Sequence, residues 1–229
     1  MGINFTQAKL RAVSILTVLL GLSLCAAAGF AGVAEFGGKL PAGQSLSARA
    51  EALTRDGVWP GMSFASSWQT LRDCHELMDS AYALTRPTSE RFGIVRACMD
   101  LAVANTRLTP TSSYAWLVRA IAAAGLKDLA DFNAAMRMSQ LSGAYEGWIS
   151  QMRVDQVERH FALADDTVVQ GHKADLAMLV SSVAGITSIA RRYLMQPDFR
   201  ERILSVVETL PQPDQQRFVG IVSALAYGT

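Results

Sequence analysis

Residues 68–102 read WQTLRDCHELMDSAYALTRPTSERFGIVRACMDLA. Apolar residues recur here every three or four positions: Trp68, Leu71, Cys74, Met78 and Tyr82, then Phe92, Val95, Cys98 with Met99, and Ala102. That spacing marks two amphipathic helices. Between them stands Arg86-Pro87, and proline restricts the residue before it to extended geometry, so the pair reads as a turn. Cys74 lies twelve residues before Arg86 and Cys98 twelve after. At 1.5 Å rise per residue each is about 18 Å from the turn, so an antiparallel hairpin sets them level. Both sit on the apolar stripe, and helices packed about 8–10 Å apart bring facing positions near disulfide range. The spacing predicts a Cys74–Cys98 bridge, worth roughly 3 kcal/mol in the chain-entropy account. Two buried free thiols are the alternative.

The same period continues toward the C-terminus. Thr109-Pro110-Thr111-Ser112 interrupts it, with Thr111 or Ser112 as a helix cap. Tyr114, Leu117, Ile121 and Ala124 form the next stripe, with Gly125 as its stop. Leu129, Phe132 and Met136 follow, stopped at Ser142-Gly143 with Gly143 as a left-handed cap. Trp148 and Met152, reaching Phe161, open a further core stripe, and Asp165-Asp166 read as N-caps. Leu176 to Ala190 is fifteen residues without a charge. It is short for a membrane span and interrupted by Ser181, Ser182, Thr187 and Ser188, so it reads as one central helix buried on most sides. Helices over 198–209 and 213–226 complete the chain. No alternation of period two supports strands. The expected fold is all-α, a stack of antiparallel helical hairpins over residues 66–229.

Upstream, residues 1–11 carry Lys9 and Arg11 and no acid, and Ala12 to Ala34 run 23 residues without a charge. That length crosses a hydrocarbon core of about 30 Å as a helix. A signal anchor uses the whole run and keeps the basic flank cytoplasmic. A cleaved signal peptide ends its apolar part near Leu24 and finds small residues at Ala26–Ala28 or Gly32–Ala34. Cys25 follows Leu24, where lipid attachment wants a small residue. Either reading carries the body across a bacterial inner membrane into the periplasm, where a disulfide persists. Residues 35–65 read as a spacer, broken by Gly37, Gly38, Pro41 and Gly43, with a short helix from Ser45 to Thr54.

The formal net charge is +1. Beyond Ala34, 19 basic residues (the 21 less Lys9 and Arg11) face 20 acidic ones. A near-neutral body lacks the basic footprint of a nucleic-acid binder. Mean hydropathy is +0.20, raised by the two apolar stretches. His75, His160 and His172 show no metal-ligand spacing with one another, and His75 beside Cys74 and Glu76 reads as a helix-surface residue. No nucleophile elbow, phosphate loop, dinucleotide fingerprint or zinc-protease motif occurs. No catalytic residue, metal or cofactor is expected.

The most unusual string is Gly143-Ala144-Tyr145-Glu146-Gly147-Trp148. Functionally, Glu146 between two aromatics suits a sugar, with Tyr145 or Trp148 as stacking platform. Structurally, Glu146 suits a first helical turn, where the dipole favours a carboxylate. Glu146 and Asp155 are nine residues apart, about 13 Å along a helix, which does not fit a glycosidase pair.

Ala115-Trp116-Leu117 through Ala134-Ala135-Met136 resembles a tetratricopeptide repeat, and Trp116 and Trp148 are 32 residues apart, near that family's period. Arg119 and Ala123 depart from its consensus, and the 48 residues from Trp68 to Trp116 break the period. Residues 107–154, with Thr109-Pro110, Ala115-Trp116-Leu117, Ser142-Gly143-Ala144-Tyr145-Glu146-Gly147-Trp148-Ile149 and Arg153-Val154, resemble small bacterial envelope proteins that accompany polysaccharide biosynthesis. The first resemblance implies a surface for holding partners. The second implies an envelope partner in a polysaccharide assembly system and assigns no catalytic residue. Together they lead to a non-enzymatic, membrane-anchored scaffold. A glycan-binding module or glycan-active enzyme using Tyr145, Glu146 and Trp148 is the alternative.

Overall fold

The structure, a computed structural model, describes residues 3–36, 44–55, 58–61 and 63–228. The structure breakers Gly37, Gly38, Pro41 and Gly43 lie outside the described residues, as do the side chains of the basic flank. Among the described residues the chain is all-helical, with no strand. The first helix, α1 (Ile3–Phe36), contains the apolar run Ala12–Val33, none of which is buried against the rest of the chain. It is long and apolar enough to cross a membrane.

The body follows as α2 (Leu46–Arg55), α3 (Phe64–Asp79), α4 (Ala81–Leu84), α5 (Thr88–Leu108), α6 (Ser113–Leu126), α7 (Leu129–Ser142) and α8 (Gly147–Arg159). A 3-10 turn at Phe161–Leu163 leads to α9 (Asp166–Ser181), α10 (Ile186–Met195), α11 (Pro197–Val207) and α12 (Gln212–Tyr227). Side-chain caps set several starts. Ser63, Ser80, Ser112, Asp128 and Asp165 each accept a hydrogen bond from the amide three residues on, satisfying a donor that the first turn leaves free.

Cys74 and Cys98 are joined, their Cα atoms 5.6 Å apart, as the spacing about Arg86 predicts. The stripe through Tyr82 is not one helix, however. Ser80 is extended (ψ 146°) and restarts the chain as α4. Its hydroxyl both donates to the Leu77 carbonyl and accepts from Ala83, so the serine supplies the local alternative to a continuous helix.

The first core is centred on α6. Ala115, Leu117, Val118, Ala120, Ala122 and Ala123 are wholly buried, so this helix is covered on all but the Trp116–Arg119 side. Its small residues let α3, α5, α7 and α8 approach together. Gly125 does not end α6; the helix runs to Leu126 and closes on Lys127 in the left-handed region (φ 61°). The glycine serves close approach instead, since a Cβ there would stand 2.9 Å from Val95 Cγ1. Gly143 is likewise not a left-handed cap: its φ is −153°, and a Cβ would meet the Ser113 side chain at 2.5 Å. Three residues placed on apolar stripes face solvent: Phe92, Leu129 and Trp148 are each about half exposed. Leu53 of α2 belongs to this core, and Arg49 pairs with Asp73 of α3 at 2.7 Å.

A second core gathers Val154 with α9 to α12, including Leu176, Leu179, Ile189, Phe199, Ile203 and Phe218. Leu176–Ala190 is not a single helix. Ser182 adopts extended geometry (ψ 145°), bonds back to the Leu179 carbonyl and accepts from Gly185, and α10 leaves α9 at 114°. Leu176, Leu179, Val180, Ile186, Ile189 and Ala190 are buried as the charge-free run implies, while Val183 at the corner is exposed. The helices expected over 198–209 and 213–226 are α11 and α12, each with a proline in its first turn.

Arg153 of α8 and Asp175 of α9 link the two cores. Their side chains are 1% and 2% exposed, and the guanidinium grips the carboxylate through Nε at 2.8 Å and Nη2 at 2.6 Å. The remaining donors reach Ser150 Oγ at 2.8 Å and, at 3.2 Å each, the Gly143 carbonyl, the Ser139 carbonyl and Ser113 Oγ. A charge so buried persists because every donor finds an acceptor.

Candidate functional site: an aromatic face on α3, α6 and α8

Ser112 caps α6 and thereby aims Tyr114 outward from the first turn toward α3. The Tyr114 ring is itself buried, and three side chains surround it. Trp68 of α3 lies 6.3 Å away between ring centroids, Trp148 of α8 lies 5.3 Å away, and His75 of α3 lies 6.3 Å away. Tilted pairs at these separations add to the gain from burial. Trp148 is half exposed and Tyr145 almost wholly so, at 91%. Glu146 is exposed, stands one residue before α8, and makes no capping hydrogen bond with its side chain. It does not sit in the first turn as expected; the chain turns there through the bond from Glu146 N to the Gly143 carbonyl at 3.2 Å. The predicted trio therefore shares one end of α8, but Trp148 joins it to the aromatic cluster and does not begin a buried stripe.

His75 is not a surface residue. Its side chain is 14% exposed, with Nδ1 3.3 Å from the Tyr114 hydroxyl and Nε2 3.5 Å from Asp79 Oδ2. Asp79 also receives Arg159 at 3.0 Å. A carboxylate, an imidazole and a phenol in a row suggest proton relay, but the electrostatics oppose it. Burial, with Glu76 nearby, pushes the Tyr114 phenol far above its ordinary value. The hydrogen bond from His75, aided by Arg159, holds the Asp79 carboxyl below its ordinary value against the effect of burial. The phenol stays neutral and shares a hydrogen bond with His75 Nδ1, so the row fixes ring positions and does not activate the phenol as a nucleophile. Along the rim, Arg72 lies over the Trp68 ring at 5.0 Å and pairs with Glu76 at 3.4 Å.

Elsewhere on the body a concavity of about 650 Å³ is lined by Asp155, Glu158, Arg159, Arg192, Asp198 and Arg202 among others. Its charges are largely spent on one another. Arg192 pairs with Asp155, and Arg202 with Glu158. Glu158 also holds His172 Nε2 at 2.7 Å. Burial favours the neutral form of Glu158, but hydrogen bonds from His172 and Arg202 outweigh it and keep the carboxyl below its ordinary value. Among the described residues no group of histidine, cysteine or acidic side chains is arranged to hold a metal ion.

Compared with family models, curated proteins and solved structures, the chain matches none. The face stands on its own geometry. It offers ring faces and edges from Trp68, Trp148 and Tyr145, with the Glu146 carboxylate free to accept hydrogen bonds beside them. Such a surface suits an apolar side chain, or the C–H face of a sugar, and supplies no acid–base pair. The periodicity flagged Trp68 and Tyr114 only as stripe residues. Their proximity to Trp148 and His75 arises from the α3–α6–α8 junction, which joins positions up to 80 residues apart and leaves no local signal.

Proposed function

We propose that the chain is a membrane-anchored, non-enzymatic docking protein of the bacterial envelope, its body facing the periplasm and holding a partner protein on the Trp68–Tyr114–Trp148–Tyr145 face. One observation carries the reading: Trp148, half exposed, rests on the packed Trp68–Tyr114 pair, and Tyr145, three residues before it, is displayed to solvent. Partly exposed aromatics on a preorganised base are the side chains that dominate binding energy at interfaces. The address is supported by an unburied apolar helix followed by a body carrying a disulfide, a bond that persists in oxidising compartments. The α6–α7 hairpin, tied across by Arg119 to Asp131 at 2.9 and 3.0 Å, is the segment that resembles a tetratricopeptide repeat. We take the stacked-hairpin architecture as part of this proposal. The resemblance of residues 107–154 directs the search for a partner to surface-polysaccharide assembly.

Photocrosslinking in intact cells tests this. A photoreactive residue at position 145 is expected to capture one discrete protein, and Trp148→Ala is expected to abolish the adduct. Labelling at position 145 no richer than at the exposed Arg107 of α5 would sink the reading. A C-terminal reporter active only in the cytosol would overturn the address. The nearly complete exposure of Tyr145 beside Glu146 also favours a second reading, a glycan-binding module. That reading expects polysaccharide to shift Trp148 emission in the isolated protein, with the shift lost in Tyr145→Ala.

A further inference from the structure

The apolar run of α1 ends at Val33, and Glu35 follows in the last turn of the same helix. The Glu35 carboxylate accepts the backbone N–H of Ser63 at 2.9 Å and also bonds the Ser63 hydroxyl. Ser63 is the N-cap of α3, so one side chain fastens the end of the apolar helix to the start of the first long helix of the body. The adjoining segment is held as well. Pro60 and Gly61 are buried, and the Pro60 carbonyl accepts the Ser67 hydroxyl at 3.0 Å. Flanking this clamp, Trp59 is 59% exposed and Phe64 is 72% exposed. Large apolar rings on well-held backbone, turned to solvent, call for an explanation.

Depth supplies one. Glu35 is two residues past the apolar run, about 3 Å further along the helix axis. The headgroup region on each side of the hydrocarbon is about 5–8 Å thick. Residues bonded to Glu35 therefore fall at headgroup depth if α1 crosses the bilayer. Tryptophan and other aromatics are favoured there because the ring sits among acyl carbons while its polar edge stays wet. We infer that Trp59 and Phe64 dock into the headgroup layer of the membrane that α1 spans, with the Glu35–Ser63 clamp setting the depth of the body. This rests on the proposed membrane anchoring by α1. It also sets where the docking face begins: Phe64 and Trp68 are four residues apart on α3, one helical turn, so the aromatic face rises directly from the bilayer surface.

The test uses the full chain in phosphatidylcholine vesicles whose acyl chains carry bromine, a short-range quencher of tryptophan, either near the headgroup or near the chain end. Trp68, Trp116 and Trp148 are changed to phenylalanine, leaving Trp59 as the sole reporter. Shallow bromine is expected to reduce Trp59 emission by about half and deep bromine to do less, as interfacial placement requires. Moving the reporter, with Phe64→Trp in a Trp59→Phe background, is expected to give the same pattern, and Glu35→Leu is expected to weaken both. A parallel variant, Leu16→Trp with the four native tryptophans changed to phenylalanine, reports on α1. If that reporter is quenched and the protein floats with the vesicles while positions 59 and 64 are not quenched, the headgroup contact is wrong and the anchoring stands. If the Leu16→Trp reporter is unquenched and the protein does not float, both fall.

Discussion

Asp175→Leu is the sharpest perturbation of this fold, because it strands a guanidinium that is 1% exposed. Wild-type Arg153 spends two short bonds on Asp175 and four more on Ser150, Gly143, Ser139 and Ser113. Without the carboxylate those four acceptors remain, but none carries the opposite charge. Breaking a buried pair from one side costs about 3–5 kcal/mol. At roughly 2–4 °C per kcal/mol for a body of this size, melting falls by about 10 °C. Arg153→Met strands the acid instead and costs a similar amount, although Ser113 and Ser139 still satisfy each other at 2.8 and 3.0 Å. The double variant Arg153→Met/Asp175→Leu removes both desolvated charges and fills the space with apolar atoms. It is expected to lie closer to wild type than either single change. Circular dichroism melts in mild detergent read all four proteins. If the double variant loses the sum of the single losses, the pair is uncoupled and the account of how the two cores are joined is wrong.

Three further outcomes follow from the same packing. Replacing Cys74 and Cys98 together by serine opens a loop of 24 residues and is expected to lower stability by about 3 kcal/mol, read as an earlier urea midpoint. Glu158 is more acidic folded than unfolded, so its contribution is present above the ordinary carboxylate range and is lost as pH falls through its lowered folded value; urea midpoints measured from neutral pH into acid should fall, and Glu158→Gln should flatten that fall. Gly143→Ala drives a Cβ into the Ser113 side chain at 2.5 Å and is expected to cost about 1–3 kcal/mol by overpacking, whereas Gly147→Ala, with open space around it, should leave melting nearly unchanged.

Periodicity was enough to read helical class, most helix positions and the cysteine pair, because those depend on spacing along one or two adjacent helices. It failed where a serine competes for the backbone. Ser80 and Ser182 each bond a carbonyl three residues back and accept the amide three residues on, splitting runs that look continuous in apolar pattern. It also failed for Trp148, which keeps helical spacing with Met152 yet lies at the open end of α8, half of its ring covered by Tyr114 and half uncovered. Nothing in the sequence sets Arg153 and Asp175 apart from the other charged residues. Their partnership spans 22 residues and two helices, and no local pattern distinguishes it from the ion pairs on the surface.

The aromatic face and the charged groove differ in what a partner would gain from them. In the 650 Å³ groove most of the cations and carboxylates are already paired, Asp155 with Arg192, and Glu158 with both Arg202 and His172. A partner entering there would have to desolvate or exchange ion pairs that the fold already satisfies, which brings little net affinity. The aromatic face carries no such burden. Tyr114 is fixed from behind by His75, Trp68 and Trp148 rest against it, and the outer surfaces of Trp148 and Tyr145 lose only water when covered. Because Trp148 already rests against Tyr114 before contact, little of its side-chain freedom remains to be lost. Binding energy is therefore expected to concentrate on the α3–α6–α8 junction, even though the charged groove is a roomy concavity.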